Sequence, residues 1–132
     1  MSHTFQLRVY YEDTDLAGIV YYANYLKFIE RARSEWVRTA GIDQVSLKAQ
    51  HGTVFAVRRI EADYLAPAQF DDLLTVTTSL DKLTGSRLFL TQTVTRAETP
   101  LFTSKVTLVC LSASGKPTRI PADIRAKLDV HG

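Results

Sequence analysis

Residues 22–39, YANYLKFIERARSEWVRT, repeat their large apolar side chains at the spacing of a helix. Tyr25, Ile29, Ala32 and Trp36 recur every three or four positions, joined by Leu26 and Val37, and make one apolar stripe. Lys27, Glu30, Arg31, Ser34, Glu35 and Arg38 take the other side. Arg31 and Glu35 stand at i, i+4 and can pair weakly. Gly41 follows as the residue that ends the helix, because glycine accepts the left-handed backbone needed there. At 1.5 Å per residue such a helix runs roughly 27 Å. That is long for a chain of 132 residues.

Outward from the helix the period falls to two. In TFQLRVYY, residues 4–11, Phe5, Leu7, Val9 and Tyr11 share one face, and Gln6, Arg8 and Tyr10 the other. TVFAVRRIEADYL, residues 53–65, reads as a strand ended by Ala66-Pro67. DLLTVTTSLDKL, 72–83, sets Leu74, Val76 and Leu80 against Thr75, Thr77 and Ser79. SRLFLTQTVTRA, 86–97, and LFTSKVTLVCLS, 101–112, continue the pattern, with turns at Gly85 and at Glu98-Thr99-Pro100. Pro121 marks a short helical turn or a frayed tail. The expected class is α+β: an antiparallel sheet of about five strands wrapped around one long central helix, in a single domain over residues 1–132. Long strand edges and threonine-rich faces call for a second copy, so a homo-oligomer, dimer or tetramer, is expected.

Composition narrows the function. The chain is 45% hydrophobic with a net charge of +2 and no block of like charges, which argues against nucleic acid. The lone cysteine, Cys110, sits in an apolar run and reads as a small core hydrophobe. His3, His51 and His131 show no ligand spacing, so no metal is expected, and no cofactor motif occurs. No apolar stretch is long enough for membrane insertion, and MSHTFQLRVYY lacks a signal-peptide core. A cytoplasmic location is the expectation.

The chemistry concentrates in YYEDTDLAGIVYYANY, residues 10–25. Asp13 and Asp15 suit a turn, since aspartate side chains accept backbone N–H bonds. Asp13 reads as a brace of the loop and Asn24 as structural. Tyr21, Tyr22 and Tyr25 either line a pocket or fill the core. Asp15 has a second reading. The helix start leaves N–H groups without intrahelical partners near Val20 to Ala23, where negative charge on a carbonyl oxygen is stabilised. A carboxylate beside them can attack a carbonyl carbon or deprotonate water. Gly18 permits the tight bend between the two parts.

RVYYEDTDLAGIVYYANYLKFIERAR, residues 8–33, resembles the signature of the 4-hydroxybenzoyl-CoA thioesterase branch of the hotdog-fold superfamily. It is most similar to the YbgC type, the acyl-CoA thioesterases associated with the Tol-Pal system. The likeness continues through FAVRRIEADYLAPAQFDDLLTV and TGSRLFLTQTV. It implies a hotdog fold and hydrolysis of an acyl-CoA thioester. It implies that Asp15 is the catalytic carboxylate, as nucleophile or general base, and that the backbone N–H of Tyr22 polarises the carbonyl. Gly18, Val20 and Tyr25 then belong to the substrate site. The CoA end calls for cations: Arg58, Arg59, Lys82, Arg87 and Lys116 are candidates for its phosphates, with Arg58, Arg59 and Arg87 taken as the substrate-binding set, and in a period-two strand Arg58 and Arg59 face opposite ways. The resemblance implies a site between two subunits, so these residues can serve a neighbouring subunit's Asp15. Many YbgC-type chains carry histidine where this one has Tyr22, which leaves aliphatic and aromatic acyl groups both open. Acyl carrier protein is a further candidate partner. Two other readings compete: a non-catalytic binding module for an acyl group or acyl carrier, associated with the Tol-Pal system, and a hotdog dehydratase. The second lacks its histidine, since none lies in the helix or the loop before it.

Overall fold

The computed structural model describes residues 2–131. The helix at its centre, α1, runs Asn24–Thr39. It starts two residues later than its periodicity suggests, because Tyr21 to Asn24 form a turn: the Asn24 N–H donates to the Tyr21 carbonyl at 2.8 Å. The buried stripe is Tyr25, Phe28, Ile29, Ala32, Trp36 and Val37. Phe28 thus replaces Leu26, which is exposed. At roughly 100° per residue, position 28 lies about 70° from the centre of the 25, 29, 32, 36 stripe, and position 26 about 90° away on the other flank. Glu35 pairs with Arg38 one turn on, not with Arg31. Gly41 closes the helix with a φ of +83°, as expected of its position.

Five strands surround it: β1 Ser2–Arg8, β2 Val54–Tyr64, β3 Leu73–Leu83, β4 Arg87–Arg96 and β5 Thr99–Leu111. Every pairing is antiparallel, in the order β1-β3-β4-β5-β2. The four later strands therefore do not form a simple meander. The segment after β2 carries the chain to the far side of the sheet, so β2 pairs with β5 and becomes an edge, while β3 joins β1. Two helices complete the chain, α2 at Gln44–His51 and α3 at Ala122–His131. Periodicity alone does not announce α2; its local signal is Asp43, whose carboxylate accepts the N–H groups of Val45 and Ser46. The tail resolves as a helix rather than a single turn because Ile124 and Leu128 are buried. Tyr11, expected on the inner face of the first strand, lies beyond its end and is 85% exposed.

A buried polar residue binds the helix to the sheet. Gln92 on β4 is fully buried. Its Nε2 donates to the Ile29 carbonyl at 2.8 Å and to Thr78 Oγ1 at 2.9 Å, and Arg33 donates to its Oε1 at 3.3 Å. Gln92→Leu nearly keeps the volume but removes the partner of the buried Thr78 hydroxyl and of Arg33. It is expected to cost about 2–3 kcal/mol, read as a lower urea midpoint at unchanged slope.

The strand β2 carries a bulge at Arg58: Val57 faces Leu108, and Arg59 already faces Thr107. One extra residue reverses the alternation. Phe55 and Val57 point to the helix side before it; Ile60, Ala62 and Tyr64 do so after it, opposite Val106, Ser104 and Phe102. The period-two expectation for Arg58 and Arg59, facing opposite ways, does not hold across such a bulge.

Candidate active site

The chain from Tyr10 to Ala23 is held as a compact loop. A short 3-10 turn spans Tyr11–Asp13. Asp13 Oδ2 accepts the Tyr10 N–H at 2.8 Å, and its carbonyl accepts the Tyr21 N–H at 3.0 Å and Asn24 Nδ2 at 2.9 Å. Asp13 and Asn24 thus both brace the loop, as expected. Thr14 bridges Val20, the Asp15 N–H donates to the Ile19 carbonyl at 2.9 Å, and the Gly18 N–H returns to the Asp15 carbonyl at 3.0 Å. Gly18 adopts a φ of +79°, which a side chain would resist. A second segment locks the loop from outside. The Val20 N–H donates to the Ala68 carbonyl at 2.8 Å, and Ile19 bridges Gln69.

Asp15 therefore sits at the tip of a rigid turn, exposed. Its Oδ1 accepts the Ala17 N–H at 2.9 Å, and its Oδ2 has no partner among the described residues. One carboxylate oxygen fixes the side chain; the other is open to the hollow's side of the turn without a partner among the described residues. The carboxylate opens on a hollow of about 580 Å³ lined by Tyr11, Thr14, Asp15, Leu16, Gly18 and Phe70. Tyr11 meets Phe70 edge-on at 6.4 Å.

A hollow of about 310 Å³ follows along the same loop, lined by Ile19, Val20, Tyr22, Tyr25, Tyr64, Leu65, Ala66 and Pro67. Tyr25 is buried beneath it, stacked on Phe102 at 5.0 Å, and its hydroxyl accepts the Ala68 N–H at 3.0 Å. Burial pushes its phenol above the ordinary value. Tyr25 is thus both pocket wall and core. The Tyr22 N–H has no partner among the described residues and lies at the start of α1, where the helix dipole is positive. Its ring packs 4.9 Å from that of Tyr21 and 6.2 Å from that of Tyr64.

The loop's outer support includes Asp72, which accepts the Gln69 N–H at 2.8 Å and Arg96 at 2.9 Å. Burial opposes its charge, but these donors outweigh it and hold the carboxyl below the usual range. A folded pKa below the unfolded one gives stability at neutral pH that is lost as pH falls from about 4 through the lower folded value. Asp72→Asn is accordingly expected to flatten the acid limb of a plot of melting temperature against pH.

The expected phosphate contacts lie elsewhere in the chain. Arg58 sits at the bulge and is exposed; Arg59 pairs with Glu61. Arg87 lies opposite Val109, whereas Tyr64 lies opposite Phe102. The separation of Phe102 and Val109 along β5 is roughly 23 Å at 3.3 Å per residue. Lys82 lies over the Phe89 ring at 5.7 Å, and Lys116 is exposed in the turn after β5. The structure sets Asp15 and Gly18 on one hollow and Val20, Tyr22 and Tyr25 on the other, both along the same loop, and leaves Arg58, Arg59 and Arg87 apart from them. The 64–70 segment, which supplies Tyr64, Ala68 and Phe70, is a part of the site that sequence reasoning missed. Nothing local marks it, because its partners are more than 40 positions away. No group of His, Cys, Asp and Glu among the described residues is placed to hold a metal, and the side chain of His131 lies outside them. No helix is long and apolar enough to cross a membrane among those residues. Cys110 is buried, and burial pushes its thiol pKa up.

Residues 17–103 match the family described as the Thioesterase superfamily. The chain is 40% identical over 123 residues to "Acyl-CoA thioester hydrolase YbgC" of Escherichia coli O6:H1, covering 92% of this chain and 91% of that protein. The fold superposes on a probable thioesterase from Bartonella henselae with a TM-score of 0.88 and 41% identity, over 92% of this chain and 100% of that one. A 4-hydroxybenzoyl-CoA thioesterase variant in complex with 4-hydroxybenzoyl-CoA shares the fold at a TM-score of 0.90 and 22% identity, over 96% and 97% of the two chains. This chain belongs to the thioesterase superfamily, and its sheet and central helix form the hotdog fold expected of it.

Proposed function

We propose that this chain is an acyl-CoA thioester hydrolase whose reaction runs at Asp15, beside the start of α1. The observation that carries the reading is the pairing of a carboxylate oxygen and a backbone N–H of Tyr22, both unpartnered among the described residues, on one braced loop. The relative at 40% identity, named an acyl-CoA thioester hydrolase, supports it. The thioester carbonyl oxygen takes the Tyr22 N–H, so the charge that develops there meets the positive end of α1. Two routes end in the same products. In one, Asp15 attacks the carbonyl carbon, the CoA thiolate leaves, and water cleaves the resulting anhydride. In the other, Asp15 takes a proton from water as that water attacks, and the proton passes to the departing thiolate. Both yield a free acid and CoA.

Gly18 gives the loop its bend, and Val20 and Tyr25 wall the smaller hollow. Arg58, Arg59 and Arg87 hold the CoA phosphates of a neighbouring subunit's site in a homodimer joined along β2. The exposed Val57, Tyr64 and Leu65 on and beside that edge support the contact. Thiol release from aliphatic acyl-CoA thioesters, benzoyl-CoA and an acylated carrier protein tests the reading and selects the acyl class. Absence of release from all of them would leave the chain a binding module.

A further inference from the structure

Two peptide planes at the start of α1 carry the donors of this site, and a different group sets each one. The Tyr21–Ala23 stretch is a turn closed by the Asn24 N–H on the Tyr21 carbonyl at 2.8 Å. Ala23 has φ −71° and ψ −18°, which fits the second central position of a type I turn and excludes type II, where φ is positive; Tyr22 has no positive φ, which excludes type II′. Tyr22 is therefore helical as well, and the N–H groups of Tyr22 and Ala23 point together toward the start of the helix. In a trans peptide the carbonyl and the N–H point opposite ways, so holding one aims the other. The Tyr21–Tyr22 plane is held through its carbonyl by Asn24. The Tyr22–Ala23 plane is held through its carbonyl by a side chain: the Tyr64 hydroxyl donates to the Tyr22 oxygen at 3.0 Å.

Tyr64 arrives from the end of β2 and is itself fixed. Its ring meets Tyr25 at 5.5 Å, Phe102 at 5.1 Å and Tyr22 at 6.2 Å, each in an edge-on arrangement. Burial, and then the neighbouring Tyr22, push its phenol above the ordinary value. It therefore remains a donor through the neutral range. The ring contacts are separate from the hydroxyl's bond to the Tyr22 carbonyl.

We propose that Tyr64 is a positioning residue for the thioesterase reaction: its hydroxyl fixes the Tyr22–Ala23 peptide plane and so keeps the Ala23 N–H, a second donor beside that of Tyr22, aimed at the carbonyl oxygen. It touches the backbone, not the reacting atoms. This inference rests on the proposed reaction at Asp15. The donors matter most when charge has developed on the oxygen, so loss of their alignment raises the barrier without weakening ground-state binding.

The test is Tyr64→Phe, assayed beside wild type and Asp15→Asn for thiol release on the preferred acyl-CoA. The ring contacts survive this change, so the melting temperature is expected to stay near that of wild type. The expected result is a drop in kcat of about tenfold with KM changed less than about twofold. Tyr64→Ala is expected to lose both activity and thermal stability. Unchanged kcat in Tyr64→Phe, or a rise in KM alone, would overturn the assignment and leave Tyr64 a pocket wall. Full turnover in Asp15→Asn is a separate outcome: it removes the reaction site on which the assignment rests.

Discussion

Asp15→Asn is expected to lower kcat by at least about three powers of ten, roughly 4 kcal/mol of transition-state stabilisation, with the fold intact. The structure separates the two jobs of the side chain. Oδ1 accepts the Ala17 N–H, and an asparagine oxygen does this equally well. The turn from Asp15 to Gly18 therefore survives, supported by its own backbone bonds to Ile19 and Gly18. What disappears is the carboxylate Oδ2, the atom that in the proposed reaction either attacks or takes a proton; a neutral amide does neither at useful rate. Asp13 is not placed to stand in, because it does not line the hollow on which Asp15 opens and its side chain braces the Tyr10 N–H. Asp13→Asn, compared directly, is expected to keep most of its turnover. The measurement is kcat on the best acyl-CoA substrate, with circular dichroism melts to show that each variant folds. Wild-type turnover in Asp15→Asn would remove Asp15 from the chemistry.

The turn that holds these two aspartates is legible in the amino-acid order, whereas the roles expected of them rest on the family resemblance. A strand, a glycine and an amphipathic helix in immediate succession dictate a tight turn with unpaired N–H groups at its end. Asp15 and Gly18 fall inside that turn, and Tyr22 at its close. Local sequence thus reads local geometry. It reads the period of each strand equally well, since alternation is a property of neighbours. It does not read which strand pairs with which. The exchange that puts β2 at the edge beside β5 is set by the wrap around α1, a contact made far along the chain. The wall supplied by residues 64–70 escapes for the same reason. By its neighbours Tyr64 is only the end of a strand, and folding alone sets its hydroxyl on Tyr22. The bulge at Arg58 is hidden in another way: a single extra residue leaves no mark in composition, yet it reverses the facing of everything after it.

That bulge and that edge lead to the other large effect, which crosses between subunits. Within one chain, Arg58 stands six residues before Tyr64 along β2, roughly 20 Å away at 3.3 Å per residue. Arg87 is farther still, level with Val109 and Ala56. No cation of this set reaches the Asp15 loop of its own chain along the sheet. A two-fold contact between β2 edges changes the arrangement, because antiparallel strands run in opposite directions. The Tyr64 end of one copy then lies beside the Val54 to Arg59 end of the other. In the proposed dimer the cations of each copy would be delivered toward its partner's loop. Two defective variants should therefore repair each other. Asp15→Asn keeps its cations; the triple variant Arg58→Glu, Arg59→Glu, Arg87→Glu keeps Asp15. Each alone is expected to be nearly inactive at low acyl-CoA, the triple variant through a KM raised about ten- to a hundredfold by loss of charge-assisted phosphate contacts. Co-expressed with different tags and purified as the mixed dimer, they are expected to show about half of wild-type activity, since a two-fold dimer of this kind holds one intact site of two. If the arginines serve their own chain, both sites of the mixed dimer stay defective and no activity returns. Sedimentation of the same samples reports whether the dimer forms at all, so a monomer would defeat the contact independently of the kinetics.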